Sequence, residues 1–168
     1  MKKINIILTG FVFVFLISAA SCSFNTQDVI TMKYPDTGLT VTNSGLIYGD
    51  VIIISDDAVV YTNEFLHGSE YIFATRQIEN FNEIDGKIFP GVSFEVFDKE
   101  GNLIYGSSEN MFTEEITSEV FKQFEGVLTM TFTVSSPLEK GKTYRIKKRV
   151  WDRQGDGEIV SEIDIKVV

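Results

Sequence analysis

An all-β, antiparallel fold with one short helix is what this 168-residue chain predicts, on three observations. Beyond about residue 38 the sequence is a succession of short segments rich in Val, Ile, Phe, Tyr and Thr, alternating apolar with polar as a strand with one buried face requires. Clusters of Gly, Asn and Asp separate the segments at turn-length spacing. Only the stretch from Ser118 to Gly126 has helical spacing.

The first stretch of the chain stands apart from that body. Lys2 and Lys3 are followed by an apolar run from Ile6 to Ile17 and by the small residues Ser18, Ala19, Ala20 and Ser21, which lead into Cys22, the one cysteine. A positive head, a short apolar core and small residues before a cleavage point are the layout of a secretory signal peptide. The run is too short for a helix that stays in a bilayer, which needs about 20 residues. With Cys22 at the cleavage point, the stretch resembles the bacterial lipoprotein signal, although Ala19 stands where leucine is commonest in that family. The resemblance implies that residues 1–21 are removed and that Cys22 becomes a lipidated, palmitate-bearing N-terminus held in a membrane. Ser23 is not the aspartate linked in such proteins to inner-membrane retention, so an outer-membrane lipoprotein is expected, on either its periplasmic or its cell-surface face.

Removal of residues 1–21 leaves 147 residues, a length for one domain with a sizeable core. Loss of two lysines also takes the formal charge from −9 to −11. Such an acidic balance argues against a nucleic-acid partner. With Cys22 assigned to lipid, the body has no thiol for a disulfide, a zinc site or a nucleophile. Stability then rests on packing.

Residues 22–38 read as lipidated cysteine and tether, ending in a turn from Pro35 to Gly38, and residues 39–168 as the folded domain. Candidate strands are Leu39–Thr42, Val51–Ser55, Val59–Tyr61, Glu70–Ile78, Val92–Asp98, Leu103–Tyr105, Val127–Val134, Thr143–Trp151 and Ile159–Val167. Asp98-Lys99-Glu100-Gly101-Asn102 predicts a tight hairpin. In the helical stretch Ser118 is the expected cap, Val120, Phe121 and Phe124 share the buried side, and Gly126 terminates. The other phenylalanines read as core and satellite packing.

The last third carries a second resemblance. Leu138-Glu139-Lys140-Gly141-Lys142-Thr143-Tyr144, then Ile146, Val150, Asp152, a glycine-containing turn and Ser161, resemble the closing corner and final hairpin of fibronectin type III and immunoglobulin-like β-sandwiches. The resemblance implies that Tyr144 is a corner tyrosine, its ring in the core and its hydroxyl bonded back to the backbone. The two strands before Glu70 exceed a minimal seven-strand domain and are expected to form a split first strand or a decorated edge. As a whole the chain is similar to small Bacteroidetes-type lipoproteins with an Ig-like domain.

Three constellations bear on function. On the strand from Thr143, the residues Arg145, Lys147, Arg149 and Trp151 share the outward face, a basic stripe ending in an aromatic that suits an anionic or carbohydrate ligand. The next strand sets Glu158, Glu162 and Asp164 on the same face, so a cross-strand charge ladder is the stronger expectation. The same alternation turns Lys148 inward, and snorkelling from an edge would bring its amine to water. The second constellation is Asp152-Arg153-Gln154-Gly155-Asp156-Gly157-Glu158, which looks like half a calcium loop, but Gln154 and Ile163 stand where ligands are needed and an EF-hand is excluded. In an Ig-like sandwich this loop would meet Glu79, Glu83 and Asp85, so Glu83, Asp85, Asp152, Asp156 and Glu158 are candidate calcium ligands. No other cofactor is expected.

The third is His67, the only histidine, which reads as a turn residue. No Gly-x-Ser-x-Gly elbow or Cys-His pair accompanies it, so no catalytic residues are assigned and an enzyme is not expected. The expected function is a lipid-anchored envelope binding or assembly module with a protein partner. A carbohydrate-binding module on the Trp151 stripe and a β-barrel carrier of an apolar ligand are the alternatives.

Overall fold

The structure is a computed structural model and describes residues 29–168. The signal segment, Cys22 and the tether up to residue 28 lie outside the described residues. In chain order the strands are β1 (Ile30–Lys33), β2 (Thr40–Ser44), β3 (Asp50–Ser55), β4 (Ala58–Val59), β5 (Glu64–Phe65), β6 (Glu70–Arg76), β7 (Lys87–Ile88), β8 (Pro90–Phe97), β9 (Leu103–Ser107) and β10 (Ile116–Thr117). Then come α1 (Ser118–Gln123), β11 (Leu128–Thr133), β12 (Thr143–Asp152) and β13 (Glu158–Val167). One sheet runs β1-β2-β13-β12-β8-β9, with β5 added to the far end of β13, and the second runs β11-β6-β3-β4. All pairings are antiparallel except β5 with β13. The all-β expectation is met.

The inner faces of the two sheets meet through aromatic side chains. Phe73 of β6 lies edge-on to Phe94 of β8 at 5.7 Å, Phe132 of β11 is 5.2 Å from Phe94, and Phe65 stacks on Tyr71 at 4.0 Å. Around them Val41, Val96, Ile146, Ile165 and Val167 are fully buried. Alternation explains the choice, since on β12 Tyr144, Ile146, Lys148, Val150 and Asp152 are buried while the residues between them reach solvent. Side chains of both sheets fill the interior between them.

Several expected elements shift. The ladder extends to Gly106 and Ser107, and Pro90 and Gly91 belong to β8. Of the segment Val59–Tyr61 only Val59 lies in a strand, the Val60 amide still donates to the Ile53 carbonyl, and Tyr61 is 71% exposed. Four short strands were not expected: β1, inside the expected tether, and β5, β7 and β10, each of the last three with two residues and so too short for a period. The Asp98–Asn102 hairpin is as expected: the Asp98 carboxylate accepts from the Asn102 backbone and side-chain amides, and Gly101 has φ +85°. Those bonds, the one from the Asn102 side chain foremost, hold the half-buried Asp98 carboxyl below its usual range.

The helix is capped by Thr117, whose hydroxyl accepts from the Val120 amide, rather than by Ser118. Of the apolar side expected for it, only Phe121 is buried, edge-on to Phe81 at 5.6 Å, while Val120 and Phe124 are exposed. Ser118 is buried beside Phe121, and the next turn has already left the core. The helix is C-capped by Phe124, and Glu125, at φ +55°, takes the left-handed position expected of Gly126, which follows at φ +59° with the Ile78 carbonyl so close that a Cβ would lie 2.7 Å from it.

Candidate functional site

The basic stripe is built by β12, and its neighbours decide its chemistry. β13 pairs so that Arg145 faces Asp164, Lys147 faces Glu162 and Trp151 faces Glu158. Arg145 and Asp164 form a two-pronged pair at 2.8 and 3.0 Å, Arg149 donates to Glu158 at 2.7 Å, and Lys147 lies 3.8 Å from Glu162. The hydrogen bond from Arg145, before its charge, holds the Asp164 carboxyl below its usual range. These pairs are half-exposed, so each contributes at most about 1 kcal/mol. The expected ladder is therefore present, and the three cations of the stripe are engaged within the sheet.

Trp151 is half-buried rather than exposed. On β8 the residue facing it is Gly91, and the indole occupies the space above that glycine, where a Cβ would lie 2.2 Å from the ring. The Arg149 guanidinium stands over the ring at 4.7 Å. A glycan would have to displace this cation to stack on the face it covers.

The two acidic loops do meet, as the sandwich arrangement implied, but their contact is made by amides. The Asp152 side chain is buried and accepts from the backbone amides of Asn82 at 2.7 Å and Gln154 at 2.9 Å, while the Asn82 side chain donates to the Gln154 carbonyl. Glu158 is paired with Arg149, and Glu83, Asp85 and Asp156 are exposed. Among the described residues no three acidic or histidine side chains converge as metal ligands. Asp152 fastens one loop to the other, a role its place in a turn did not announce.

His67 lies exposed in the turn between β5 and β6, where its backbone amide donates to the Val168 carbonyl. Cys22 lies outside the described residues. Between the turn Tyr34–Leu39 and the β3–β4 hairpin is an apolar cleft of about 320 Å³, walled by Tyr34, Pro35, Val59 and Tyr61, with the ion pair of Arg76 and Asp50 in its lining. No segment of the sequence announced it, because its walls come from stretches far apart in the chain.

The chain matches no family model. Nor does any curated protein match it.

Two further features stand out from the geometry. β11, with the sequence Leu-Thr-Met-Thr-Phe-Thr, pairs only with β6, so its other edge is free among the described strands, and it carries no charge, proline or bulge. Lys148 is the second. It sits in the central strand β12, is 1% exposed, and donates from Nζ to the carbonyls of Phe73 at 2.9 Å and Leu128 at 2.8 Å and to Thr75 Oγ1 at 3.1 Å. The expectation that it snorkels outward is corrected: β8 and β13 flank it on both sides, and its stem is too short to leave the core. It crosses to the opposite sheet, where carbonyl oxygens replace water. Burial without a carboxylate partner draws its ionisation down to about 7.

Proposed function

We propose that the chain is a non-catalytic, lipid-anchored module of the bacterial cell envelope that binds a protein partner by strand addition at β11. The free β11 edge carries this reading. Exposed edges are commonly blunted by charge, proline or a bulge, and an unblunted edge is a template for an added strand. Strand addition supplies affinity from main-chain hydrogen bonds, and the outward Thr129, Thr131 and Thr133 leave the edge accessible. The layout of Lys2, Lys3, the apolar run and Cys22 supports the anchor, and with it the outer-membrane location.

The immunoglobulin-like reading of the body belongs here too. Tyr144 is buried and its hydroxyl accepts from the Glu139 amide at 2.9 Å, the geometry of a tyrosine corner. β3 joins β6 in one sheet, and the chain then crosses so that β5 runs parallel to β13 in the other, which supports a split first strand. On this reading the β1–β2 hairpin is the decoration.

Two arms test the proposal in cells. Labelling with a palmitate analogue should mark the wild type and not Cys22→Ser; label retained by the serine variant would remove the anchor. A photocrosslinker placed at Thr131 should give a discrete adduct that one placed at Lys122 does not, and Thr131→Lys in the β11 edge should abolish partner recovery at unchanged melting temperature. Equal adducts from both positions would remove the strand-addition reading.

A further inference from the structure

The buried amine of Lys148 has three hydrogen-bond partners, and none is an acid. Two are main-chain carbonyls of the opposite sheet, Phe73 on β6 and Leu128 at the start of β11, which can only accept. The third, Thr75 Oγ1, is fully buried and can either accept or donate. An ammonium offers three N–H donors, whereas a neutral amine offers two donors and one lone pair. The set fits both: with the charge present the amine donates to all three oxygens, and with it absent the Thr75 hydroxyl rotates and donates to nitrogen.

We propose that the Lys148–Thr75 contact is a proton-operated switch between the two sheets, reversing the direction of one hydrogen bond while leaving the two carbonyl contacts in place. The groups around it leave the amine uncompensated. On its own strand Lys147 and Arg149 lie on the outer face, and Tyr144 and Asp152, inward, are each four residues away, about 13 Å along a strand, and bound to loop amides. From β13 the inward residue opposite it is Ser161, with Glu158, Glu162, Asp164 and Lys166 facing outward. From β8 it is Phe94, with Glu95 outward. From β6 the one inward titratable group is Tyr71, whose hydroxyl accepts from the Leu66 amide, while Glu70 and Arg76 are exposed at the strand ends; β11 has no titratable residue. Desolvation is therefore unopposed by any carboxylate and brings the ionisation to about 7.

The sign of the linkage follows. In the unfolded chain the lysine keeps its ordinary value of 10.5, so between about 7 and 10.5 the unfolded state binds the extra proton and stability rises with pH. Below about 7 both states are charged and this contribution is flat at its least favourable. Acidification toward neutrality thus weakens the hold of β12 on β6 and β11.

The switch is tested on the full chain with isotope-labelled lysines. The Lys148 side-chain resonance, assigned by its loss in Lys148→Met, should titrate with a midpoint near 7. Across the same interval the unfolding constant of the wild type should fall by up to about tenfold per pH unit relative to that variant. Thr75→Val, which leaves the ammonium one acceptor short, should move the midpoint lower. A wild-type midpoint above about 10, or stability profiles that run parallel in wild type and Lys148→Met, would overturn the switch. An unmoved midpoint in Thr75→Val would overturn the hydroxyl reversal. Should Lys148→Met not fold, the wild-type resonance that Thr75→Val perturbs gives the midpoint alone.

Discussion

Single side chains hold the ends of this molecule, and most do so by accepting backbone N–H groups. Tyr144 takes the Glu139 amide at the corner before β12, Asp152 takes two loop amides after it, and Tyr34 takes the Val51 amide at the edge of β3. Each orphan amide would otherwise lose its partner in a partly buried place. Tyr144→Phe keeps the ring in the core and removes only the acceptor, so it should cost about 1–2 kcal/mol. Urea unfolding checks this as a lower midpoint at unchanged slope; a loss below about 0.3 kcal/mol would mean that water replaces the hydroxyl freely. The buried ring of Tyr144 and its backbone-bound hydroxyl are what the resemblance of this stretch to a sandwich's closing corner implies. The function of Asp152 was not legible in advance, since an acidic residue beside two glycines looks alike whether it holds a cation or an amide, and Asn82, its partner, lies 70 residues away.

Strand pairs set what a face can do, and β12 shows both how far alternation carries and where it stops. Its inward and outward residues, the cross-strand acids and the inward turn of Lys148 all follow from period two. What β8 places opposite is not encoded in β12. Gly91 faces Trp151, and the missing side chain is what lets the indole lie against the sheet under Arg149. Gly91→Ala should expel the ring, because the new Cβ would sit 2.2 Å from it, and should cost about 1–3 kcal/mol as other overpacking does. Trp151 is the only tryptophan, so its emission reports the site alone: a red shift with the midpoint loss is expected, and emission identical to wild type would show that the sheet yields instead. The two-residue strands β5, β7 and β10 were illegible for a different reason. A two-residue strand has no period: β5 adds to the end of β13, and β7 and β10 pair only with each other.

At the scale of the whole molecule, the boundary of the folded body is set by burial rather than by where pairing begins. β1 adds four residues to the sheet edge, yet all four are exposed, and its only partner is β2. The turn after it is different in kind: Leu39 is 2% exposed, Tyr34 packs against the core, and the Tyr34 amide and carbonyl close the turn on Leu39 and Gly38. The turn expected from Pro35 to Gly38 is thus packed onto the body, held by Tyr34 before it and Leu39 after it. A body beginning at Tyr34 loses β1's exposed ladder bonds, which water replaces, and should be less stable than one beginning at Val29 by about 1–2 kcal/mol. A body beginning at Thr40 also loses the buried leucine and uncovers the β3 edge, for a further cost of about 3 kcal/mol or more. Thermal unfolding of the three forms checks the order. A body from Tyr34 that fails to fold, or one from Thr40 as stable as the longest, would show that the edge strand and not the turn closes this side of the core.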